Sequence, residues 1–422
     1  MRGRYIEAGL SSDPRDEATM LRFEEARQRV IDEAGRNKAP LPTQLLPVHD
    51  SLGSVIAQNV RSDREYPPFD RSTRDGYAVR AVESGAKRTL WCVGEIRAGD
   101  SVTEALRTGT CVQIMTGAAV PSGADAVVMI EFTSRTGEIV TFQKETNAGQ
   151  NIVPKGSEAH TGDFVLRAGQ RLGFAELAIA AQVGATSLSC YKKPRVAILS
   201  TGDEVVEITE TPGPFQIRNS NSVSLGAQVR LAGGEPILLG NAGDRVEELS
   251  AKIEQGLEED MLILSGGVSM GKYDLVEGVL KSLGGEFFFD AVAVRPGKPT
   301  VVGRVREKLV FGLPGNPVST MVTFQLFAIP AIDVFSGASP RPLGLLDATA
   351  GEALHEKTGL THFLPGRVEW IGGRPEVKPL RWQGSGDIGT LSEANCFVVV
   401  PSDRQNIALG EIVSILPRWD VI

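Results

Sequence analysis

The sequence RVAILSTGDE begins at Arg195 and sets a pattern that recurs four times before Phe335. The other runs are EPILLGNAGD (from Glu235), MLILSGGVSMGKYD (from Met261), AVAVRPGKP (from Ala291) and LVFGLPGNP (from Leu309). Each is a short apolar run followed by a loop rich in glycine, proline or acidic residues. Apolar runs without polar alternation are typical of buried parallel strands. We therefore expect an α/β domain whose strand-end loops meet in one pocket.

Composition limits the classes of protein to consider. A chain of 422 residues predicts two to four domains. Its net charge of −8 argues against nucleic acid as the main partner, because phosphate backbones need clustered basic residues. The sequence contains no run of 18 apolar residues and no apolar segment near the N-terminus. It therefore predicts neither a membrane span nor a signal peptide. We therefore expect a cytoplasmic protein.

The cysteines and histidines do not indicate a particular reaction or metal site. The four cysteines (Cys92, Cys111, Cys190 and Cys396) have no CxxC or metal-ligand spacing, which favours a reducing compartment. The four histidines are scattered, and no Ser-His-Asp set is visible. Any reaction is therefore expected to use carboxylates, lysine and a metal.

Outside the α/β region, the chain predicts β-rich segments. An amphipathic helix is predicted from Thr19 to Glu33, and a short helix from Asp50 to Val60. Short strands separated by turns are predicted from Tyr66 to Gln143, and again after Pro340. The fold class is therefore predicted to be multidomain α/β plus β, with a central, mainly parallel, doubly wound sheet flanked by small β-rich domains.

The loop Pro314-Gly315-Asn316-Pro317 precedes an apolar helix. Asn316 is predicted at the N-cap and Pro317 at the first helical position, both favoured there. The loop can be a helix start and nothing more. Its rigidity and its outward-facing N–H groups also suit an anion.

Four aspartates and glutamates follow the strands. Asp244 and Asp274 precede helical patterns, so helix capping is a sufficient explanation for either one. Asp203 and Glu204 have no helix directly after them. Carboxylates gathered at one sheet edge repel one another unless a cation lies among them, and Mg²⁺ bound by one or two carboxylates and phosphate oxygens is a common solution.

The segment Ser265-Gly266-Gly267-Val268-Ser269 lets the backbone approach a ligand closely. It is neither a GxxxxGK[ST] loop nor a GxGxxG motif, which disfavours a P-loop nucleotide triphosphatase and a nicotinamide dehydrogenase. Positive charge comes from the RPGKP loop, with Arg295 and Lys298.

Six stretches together resemble the MoeA family, the molybdopterin molybdenumtransferases that include the E domain of gephyrin. They are PPFDRSTRDGYAVR (from Pro67), IMTGAAVP (from Ile114), STGDE (from Ser200), SGGVSMGKYD (from Ser265), RPGKP (from Arg295) and GLPGNPVS (from Gly312). They occur in the family's order and spacing over nearly the whole chain.

The resemblance implies an elongated four-domain homodimer. The implied domains are 1–62 with 145–190, an inserted β domain at 63–144 that carries the DGY and MTG motifs, a MogA-like molybdopterin-binding domain at 191–337, and a β-barrel-like domain at 338–422. The implied reaction inserts molybdenum from molybdate into adenylylated molybdopterin and releases AMP with the help of Mg²⁺ or another divalent cation. A MogA-like adenylyltransferase and acceptor molybdoenzymes are the implied partners. The choice between molybdenum and tungsten stays open.

Site residues follow from the matching motifs. The implied catalytic residues are Asp75, Thr116, Glu204, Asp244, Asp274 and Lys298, of which Glu204, Asp244 and Asp274 handle the metal. Ligand binding is expected from Ser200, Thr201, Gly202, Asp203, Ser265, Gly266, Gly267, Ser269, Arg295, Pro314, Gly315, Asn316 and Pro317. Asp75 and Thr116 are expected to face the pocket of the other subunit, although an Asp-Gly turn alone also explains Asp75.

Some positions depart from the family pattern. Ser157 and Glu158 replace Glu and Asp, Arg295 replaces a common lysine, Pro365 replaces a frequent arginine, and Gly386 stands where histidine is often found. Contacts from the C-terminal domain are therefore open. Two alternatives are a non-catalytic molybdopterin-binding scaffold and a CinA-type pyrophosphatase, which would lack the DGY and PGNP loops.

Overall fold

The computed structural model describes residues 20–36, 40–267, 275–418 and 420–421. The chain forms two compact units. The small unit comprises Leu45–Leu52 and Ile56–Ser189, and the large unit comprises Met1–Gln44, Gly53–Val55 and Cys190–Ile422. The division into four domains stays a prediction.

The first part of the chain is mostly short strands. Its elements are α1 (Phe23–Ala34), β1 (Thr43–Pro47), β2 (Val60–Arg61), β3 (Arg71–Ser72), β4 (Gly76–Val79), β5 (Thr89–Ile96), β6 (Thr110–Ile114), β7 (Ala126–Met129), β8 (Thr133–Thr136), β9 (Ile139–Phe142), β10 (Ile152–Val153), β11 (Phe164–Leu166), α2 (Phe174–Gln182) and β12 (Ser187–Tyr191). Helix α1 confirms the predicted N-terminal helix.

The small unit is built around a six-stranded sheet in the order β7-β4-β6-β5-β9-β8. This confirms the predicted run of short strands. Alternate side chains of these strands form its core, in which the rings of Tyr77 and Phe142 meet edge to face at 6.5 Å.

The helix predicted between Asp50 and Val60 is wrong. A 3-10 turn at Val48–Asp50 is followed by turns and bridges. Gly53 has a left-handed φ of 75°, and the N–H groups of Ile56 and Ala57 donate to carbonyls distant in sequence instead of to a preceding helical turn. Long-range backbone pairing therefore replaces the local helix.

The rest of the chain alternates strands and helices before a final set of strands. Its elements are β13 (Arg195–Thr201), β14 (Val205–Val206), β15 (Ile217–Arg218), α3 (Ser220–Ala232), β16 (Glu235–Ala242), α4 (Val246–Gly256), β17 (Met261–Ser265), α5 (Leu275–Ser282), β18 (Glu286–Phe289), β19 (Val294–Arg295), β20 (Val301–Val305), β21 (Lys308–Leu313), α6 (Pro317–Thr323), a π-helical segment (Phe324–Ala328), α7 (Ile329–Phe335), β22 (Leu346–Ala350), β23 (Leu354–His355), β24 (Thr361–Ile371), β25 (Arg374–Pro379), α8 (Ile388–Glu393), β26 (Cys396–Val400), β27 (Asn406–Ile407) and β28 (Ile412–Pro417).

The central sheet of the large unit has the order β16-β13-β17-β21-β20-β18. The first four strands are parallel, and β20 and β18 are antiparallel. Alternate residues of β13 face two separate cores: Val196 and Ile198 pack with α3, whereas Ala197 and Leu199 pack with α4. The sheet is thus covered on both faces, which confirms the doubly wound α/β prediction.

One of the five predicted strands belongs elsewhere. The AVAVR run contains β19, which pairs in parallel with β24 of the C-terminal sheet and not with the central sheet. An apolar run fixes burial but not its hydrogen-bonding partner, so the sequence pattern could not separate these two sheets.

The C-terminal strands close on themselves. Their sheet has the order β19-β24-β25-β22-β28-β26, and β26 also pairs with β24. Strands β24, β25, β22, β28 and β26 therefore form a closed ring, and the assignment of 338–422 as a separate β-barrel-like domain stays a prediction. The ring of Phe23 from α1 packs edge to face against Phe363 of β24, with centroids 5.5 Å apart.

The continuous helix Pro317–Phe335 is the one described helix that is long and apolar enough to cross a membrane. Its mean hydropathy is 1.6 over 19 residues, and 78% of the window is buried inside the fold. It packs in the core between the central sheet and the C-terminal strands.

Candidate active site

The loops at the carboxyl edge of the central sheet surround a cavity of about 730 Å³. It is lined by Ser200, Thr201, Gly202, Glu204, Val205, Ile217, Arg218, Asn219, Ser220, Asn221, Asp244, Ser265, Gly266, Gly267, Pro299, Pro314, Gly315, Asn316, Pro317, Gly386 and Ile388. Ligands of open α/β sheets bind at this edge. All of these residues belong to the large unit.

Most site residues assigned from the sequence, catalytic and ligand-binding together, meet in this cavity. They are Ser200, Thr201, Gly202, Glu204, Asp244, Ser265, Gly266, Gly267, Pro314, Gly315, Asn316 and Pro317. Three others, Asp203, Arg295 and Lys298, are not among the lining residues. Ser269 and Asp274 lie outside the described residues, and Asp75 and Thr116 belong to the small unit.

Gly266 and Gly267 allow β17 to end directly at the cavity. Both have left-handed φ values, 99° and 66°. A Cβ atom on Gly266 would lie 2.8 Å from the carbonyl oxygen of Thr201, and one on Gly267 would lie 2.6 Å from a methyl of Val276. Side chains are therefore excluded by backbone conformation and by space, and bare amides line this wall.

The Pro-Gly-Asn-Pro loop starts helix α6 as predicted, with Asn316 at the N-cap position and Pro317 as the first helical residue. The Asn316 side chain does not cap the helix. Its Nδ2 donates to Ser385 Oγ at 2.8 Å. Thr320 is buried behind the loop and donates from Oγ1 to the carbonyl of Pro314, which fixes the loop from inside.

The carboxylates divide into two kinds. Asp203 Oδ1 accepts the backbone N–H of Asp244 at 3.0 Å and thereby joins two loops. Glu204 and Asp244 line the cavity, and neither has a lysine, arginine or histidine within 4 Å among residues 20–36, 40–267 and 275–418. Arg245, not Asp244, occupies the N-cap position of α4, so capping does not explain Asp244.

The donor set fits a hard divalent cation. Two carboxylates on separate loops of one cavity match the way Mg²⁺ is held by one or two carboxylates together with ligand oxygens. Within the described part of the chain, no group of three His, Cys, Asp or Glu residues could form a complete protein cage. A cation here would depend on oxygens of a bound ligand, and the third predicted ligand, Asp274, lies outside the described residues.

A basic residue outside the predicted set lines the cavity. Arg218 is the one lysine or arginine among the cavity-lining residues that the structure describes. Lys298 is half-buried next to the lining residue Pro299, and its carbonyl accepts the N–H groups of Val292 and Thr300. Arg295 is exposed on β19.

Sequence reasoning missed the first turn of α3 and the C-terminal segment. Residues from Ile217 to Asn221, together with Gly386 and Ile388, line the cavity. A signal for α3 was available: a helix that follows a parallel strand begins at the carboxyl edge, so its N-terminus faces the pocket. No local pattern indicates that Gly386 and Ile388 reach the cavity.

Asp75 and Thr116 lie together in the small unit, although they are 41 residues apart. Asp75 Oδ1 accepts the Thr116 backbone N–H at 2.7 Å and the Thr116 hydroxyl at 2.9 Å. The backbone hydrogen bond, followed by the hydroxyl, lowers the pKa of Asp75. Both residues are exposed, so a charged carboxylate is held in place at the surface.

Three family models match consecutive parts of the chain. Residues 21–184 match the MoeA N-terminal region (domains I and II), residues 197–334 match a probable molybdopterin binding domain, and residues 347–417 match the MoeA C-terminal region (domain IV). Together these matches extend over both compact units.

Curated relatives cover nearly the same length. The molybdopterin molybdenumtransferase of Bacillus subtilis is 32% identical over 385 residues, which is 89% of each chain. The protein of the same name from Haemophilus influenzae is 33% identical over 405 residues, covering 94% of this chain and 98% of its own.

Solved structures agree. Two crystal structures of a molybdopterin biosynthesis MoeA protein from Pyrococcus horikoshii cover 94% of this chain and 99% of their own. They have TM-scores of 0.71 and 0.75 at 31% and 27% identity. These matches over nearly the whole length show that the chain belongs to the MoeA family and is an enzyme of molybdenum cofactor biosynthesis.

Proposed function

We propose that this enzyme inserts molybdenum from molybdate into molybdopterin, which it takes as the adenylylated derivative, and that it releases AMP. One observation carries the proposal. Glu204 and Asp244, without cationic partners among the described residues, line the same cavity as the side-chain-free backbone of Gly266 and Gly267. Such a cavity suits a phosphorylated guest and a cation between guest and protein.

The chain's own groups bind and orient the phosphates. Helices α3 and α6 both begin at the cavity, and the positive end of a helix dipole favours negative charge. The N–H groups of Gly266 and Val318 already donate to carbonyls of the chain, so the proposed donors of this wall are the amides of Gly267, Gly315 and Asn316. Arg218 is a basic residue of the cavity lining.

Glu204 and Asp244 would hold Mg²⁺ or another divalent cation. When bound, that cation neutralises charge on the phosphate oxygens and aligns the diphosphate link. Attack of water on this link breaks its phosphorus–oxygen bond and yields molybdopterin and AMP, and the proton released passes to solvent. Asp274 is proposed as the third acidic residue and Lys298 as a further phosphate or molybdate contact, both on the motif resemblance.

Asp75 and Thr116 are proposed to complete the site from the other subunit of a homodimer. Their support is the family motif and the fixed, exposed carboxylate of Asp75. We also place the reaction in the cytoplasm. A separate adenylyltransferase of the MogA type must supply the substrate, and molybdoenzymes must accept the product.

The test is a complete reaction with purified protein, adenylylated molybdopterin, molybdate and Mg²⁺. We expect AMP by chromatography and active cofactor by reconstitution of a molybdenum-dependent enzyme. A scaffold would bind molybdopterin, detected by pterin fluorescence, without releasing AMP. A CinA-type pyrophosphatase would instead hydrolyse nucleotide substrates without making cofactor. Either outcome would overturn the proposal.

A further inference from the structure

We propose that Asn221 is a positioning residue that sets the spacing between two substrate-facing loops, Ser265–Gly267 and Pro314–Pro317. This inference rests on the proposed function, because it concerns how that site holds its phosphorylated substrate. Asn221 lies in the first turn of α3, outside both loops, and was not among the site residues predicted from the sequence.

The contacts of Asn221 join three elements. Its Nδ2 donates to Ser265 Oγ at 2.8 Å and to the carbonyl oxygen of Gly315 at 2.8 Å. Thr320 Oγ1, which fixes the second loop from behind, is 3.5 Å away. The helix start is thus tied through one side chain to the ends of β17 and β21.

The orientation of this amide follows from its partners. The carbonyl of Gly315 can only accept, so the nitrogen and not the oxygen must face it. Asn221 Oδ1 is then buried and has no hydrogen-bond partner in the described part of the chain. The side chain therefore acts here as a two-hydrogen donor, a role that carboxylate or alkyl side chains cannot fill.

Among residues 20–36, 40–267 and 275–418, little else fixes the separation of the two loops. Ser265 is paired with Leu313 in the parallel ladder, and the Gly266 N–H donates to the Leu313 carbonyl at 3.1 Å. Beyond this point, a Cβ atom on Gly315 would lie 3.4 Å from the Gly266 Cα, which is packing contact only. Asn221 supplies the directional bonds across this gap.

Both loops offer backbone amides to the substrate, so a change in their spacing weakens binding before and during the reaction alike. Loss of such uniform binding raises KM and leaves kcat nearly unchanged. A residue that only stabilised the fold would instead lower the amount of active protein at an unchanged KM.

The experiment compares Asn221→Asp and Asn221→Ala with the wild type in the AMP-release assay. We expect KM for adenylylated molybdopterin to rise about 10- to 100-fold in both variants, as for loss of bonds to a buried carbonyl. We expect kcat to stay within about threefold.

A pH profile separates the two variants. Protonation gives the introduced carboxyl one O–H donor, which can return the bond to the Gly315 carbonyl. The KM of Asn221→Asp should therefore fall towards the wild-type value as the pH is lowered from about 8 to about 5, whereas that of Asn221→Ala should not.

Controls fix the interpretation. Asn406→Asp makes the same substitution at an exposed position away from the cavity and should leave KM unchanged. In a double-mutant cycle, Ser265→Ala should add little to Asn221→Ala, because the two share one contact. If Asn221→Asp does not fold, Asn221→Gln keeps both donors on a longer arm and should still raise KM.

The outcomes are distinct from those of the proposed function. No AMP release by the wild type would remove the function itself. An active wild type whose KM is matched by Asn221→Ala, or by Asn221→Gln where the other variants do not fold, would overturn the role of Asn221. A reduced kcat at unchanged KM would also overturn it.

Discussion

Carboxylates of the two units differ in the partners that they have. In the small unit, Asp75 receives two hydrogen bonds from Thr116, and Glu65 receives bonds from His160 and from both the backbone and the hydroxyl of Thr161. In the large unit, Glu204 and Asp244 line a cavity with no cation within 4 Å among the described residues.

This difference separates fixed charge from charge that needs a ligand. Its own chain holds the pKa of Asp75 low, and the His160 bond, followed by the Thr161 N–H, lowers the pKa of Glu65 to about 2. Carboxylates without such partners gain most from a cation that arrives with the substrate. The chain itself thus keeps these carboxylates of the small unit charged, whereas we expect those of the large unit to pair with a bound cation.

The strongest test of this contrast is Asp244→Asn. We expect AMP release to fall by at least about 100-fold, because the variant loses a proposed cation ligand. The melting temperature should change little, since no described side chain pairs with the Asp244 carboxylate. Asp347→Asn, at an exposed position on β22, is the matched control. A near wild-type rate in the Asp244 variant would show that the cavity charge is not used.

Mixing subunits tests whether Asp75 of the small unit and Asp244 of the large unit act in the same site. Asp75→Asn and Asp244→Asn should each be nearly inactive alone. If one site uses Asp75 from one subunit and Asp244 from the other, mixed dimers contain one intact site. Random exchange then restores about a quarter of the wild-type rate. No recovery, with subunit exchange verified by native mass spectrometry after isotope labelling of one variant, would place both residues in one subunit or remove Asp75 from the site.

The sequence predicts the cavity loops well because local geometry forces them. Gly266 and Gly267 let the backbone pass where no side chain fits, and Pro314 and Pro317 make the loop before α6 rigid. Each loop also follows an apolar strand, which must be buried in the core. Position at the sheet edge then follows from topology alone.

The cations and the C-terminal contacts could not be predicted in the same way. The apolar AVAVR run predicts a central strand whose end would bring Arg295 and Lys298 to the cavity, but β19 pairs with β24. Gly386 and Ile388 reach the cavity through the packing of the barrel against α6, with the Ser385 carbonyl accepting the Val318 N–H. Such contacts depend on tertiary packing that no local pattern contains.

Arg218→Ala tests the positive charge at the cavity of the large unit. Arg218 is the basic residue of the described cavity lining, so we expect KM for adenylylated molybdopterin to rise about tenfold in the variant, the effect of losing one charge-assisted bond. The wild-type KM should also rise with salt more steeply than that of the variant. Arg306→Ala removes an exposed arginine that pairs with Glu254 and should have no effect on KM. An unchanged KM in the Arg218 variant would mean that Arg218 does not contact the phosphate, which would leave Lys298 as the proposed contact.

The smallest effect concerns acid stability beside the RPGKP loop. Burial, together with the nearby Arg295 charge, lowers the pKa of His362, while Glu356 and the Lys357 carbonyl oppose the shift. The folded protein then binds fewer protons than the unfolded chain, so its free energy of unfolding decreases as the pH falls below about 6.5. His362→Gln should reduce this slope by at most about 1.4 kcal/mol per pH unit, measured by urea unfolding between about pH 7 and pH 5. His355→Gln, at an exposed position on β23, is the control. Equal slopes in the wild type and the His362 variant would mean that another group governs acid stability, because a buried imidazole that stays neutral must contribute to this slope.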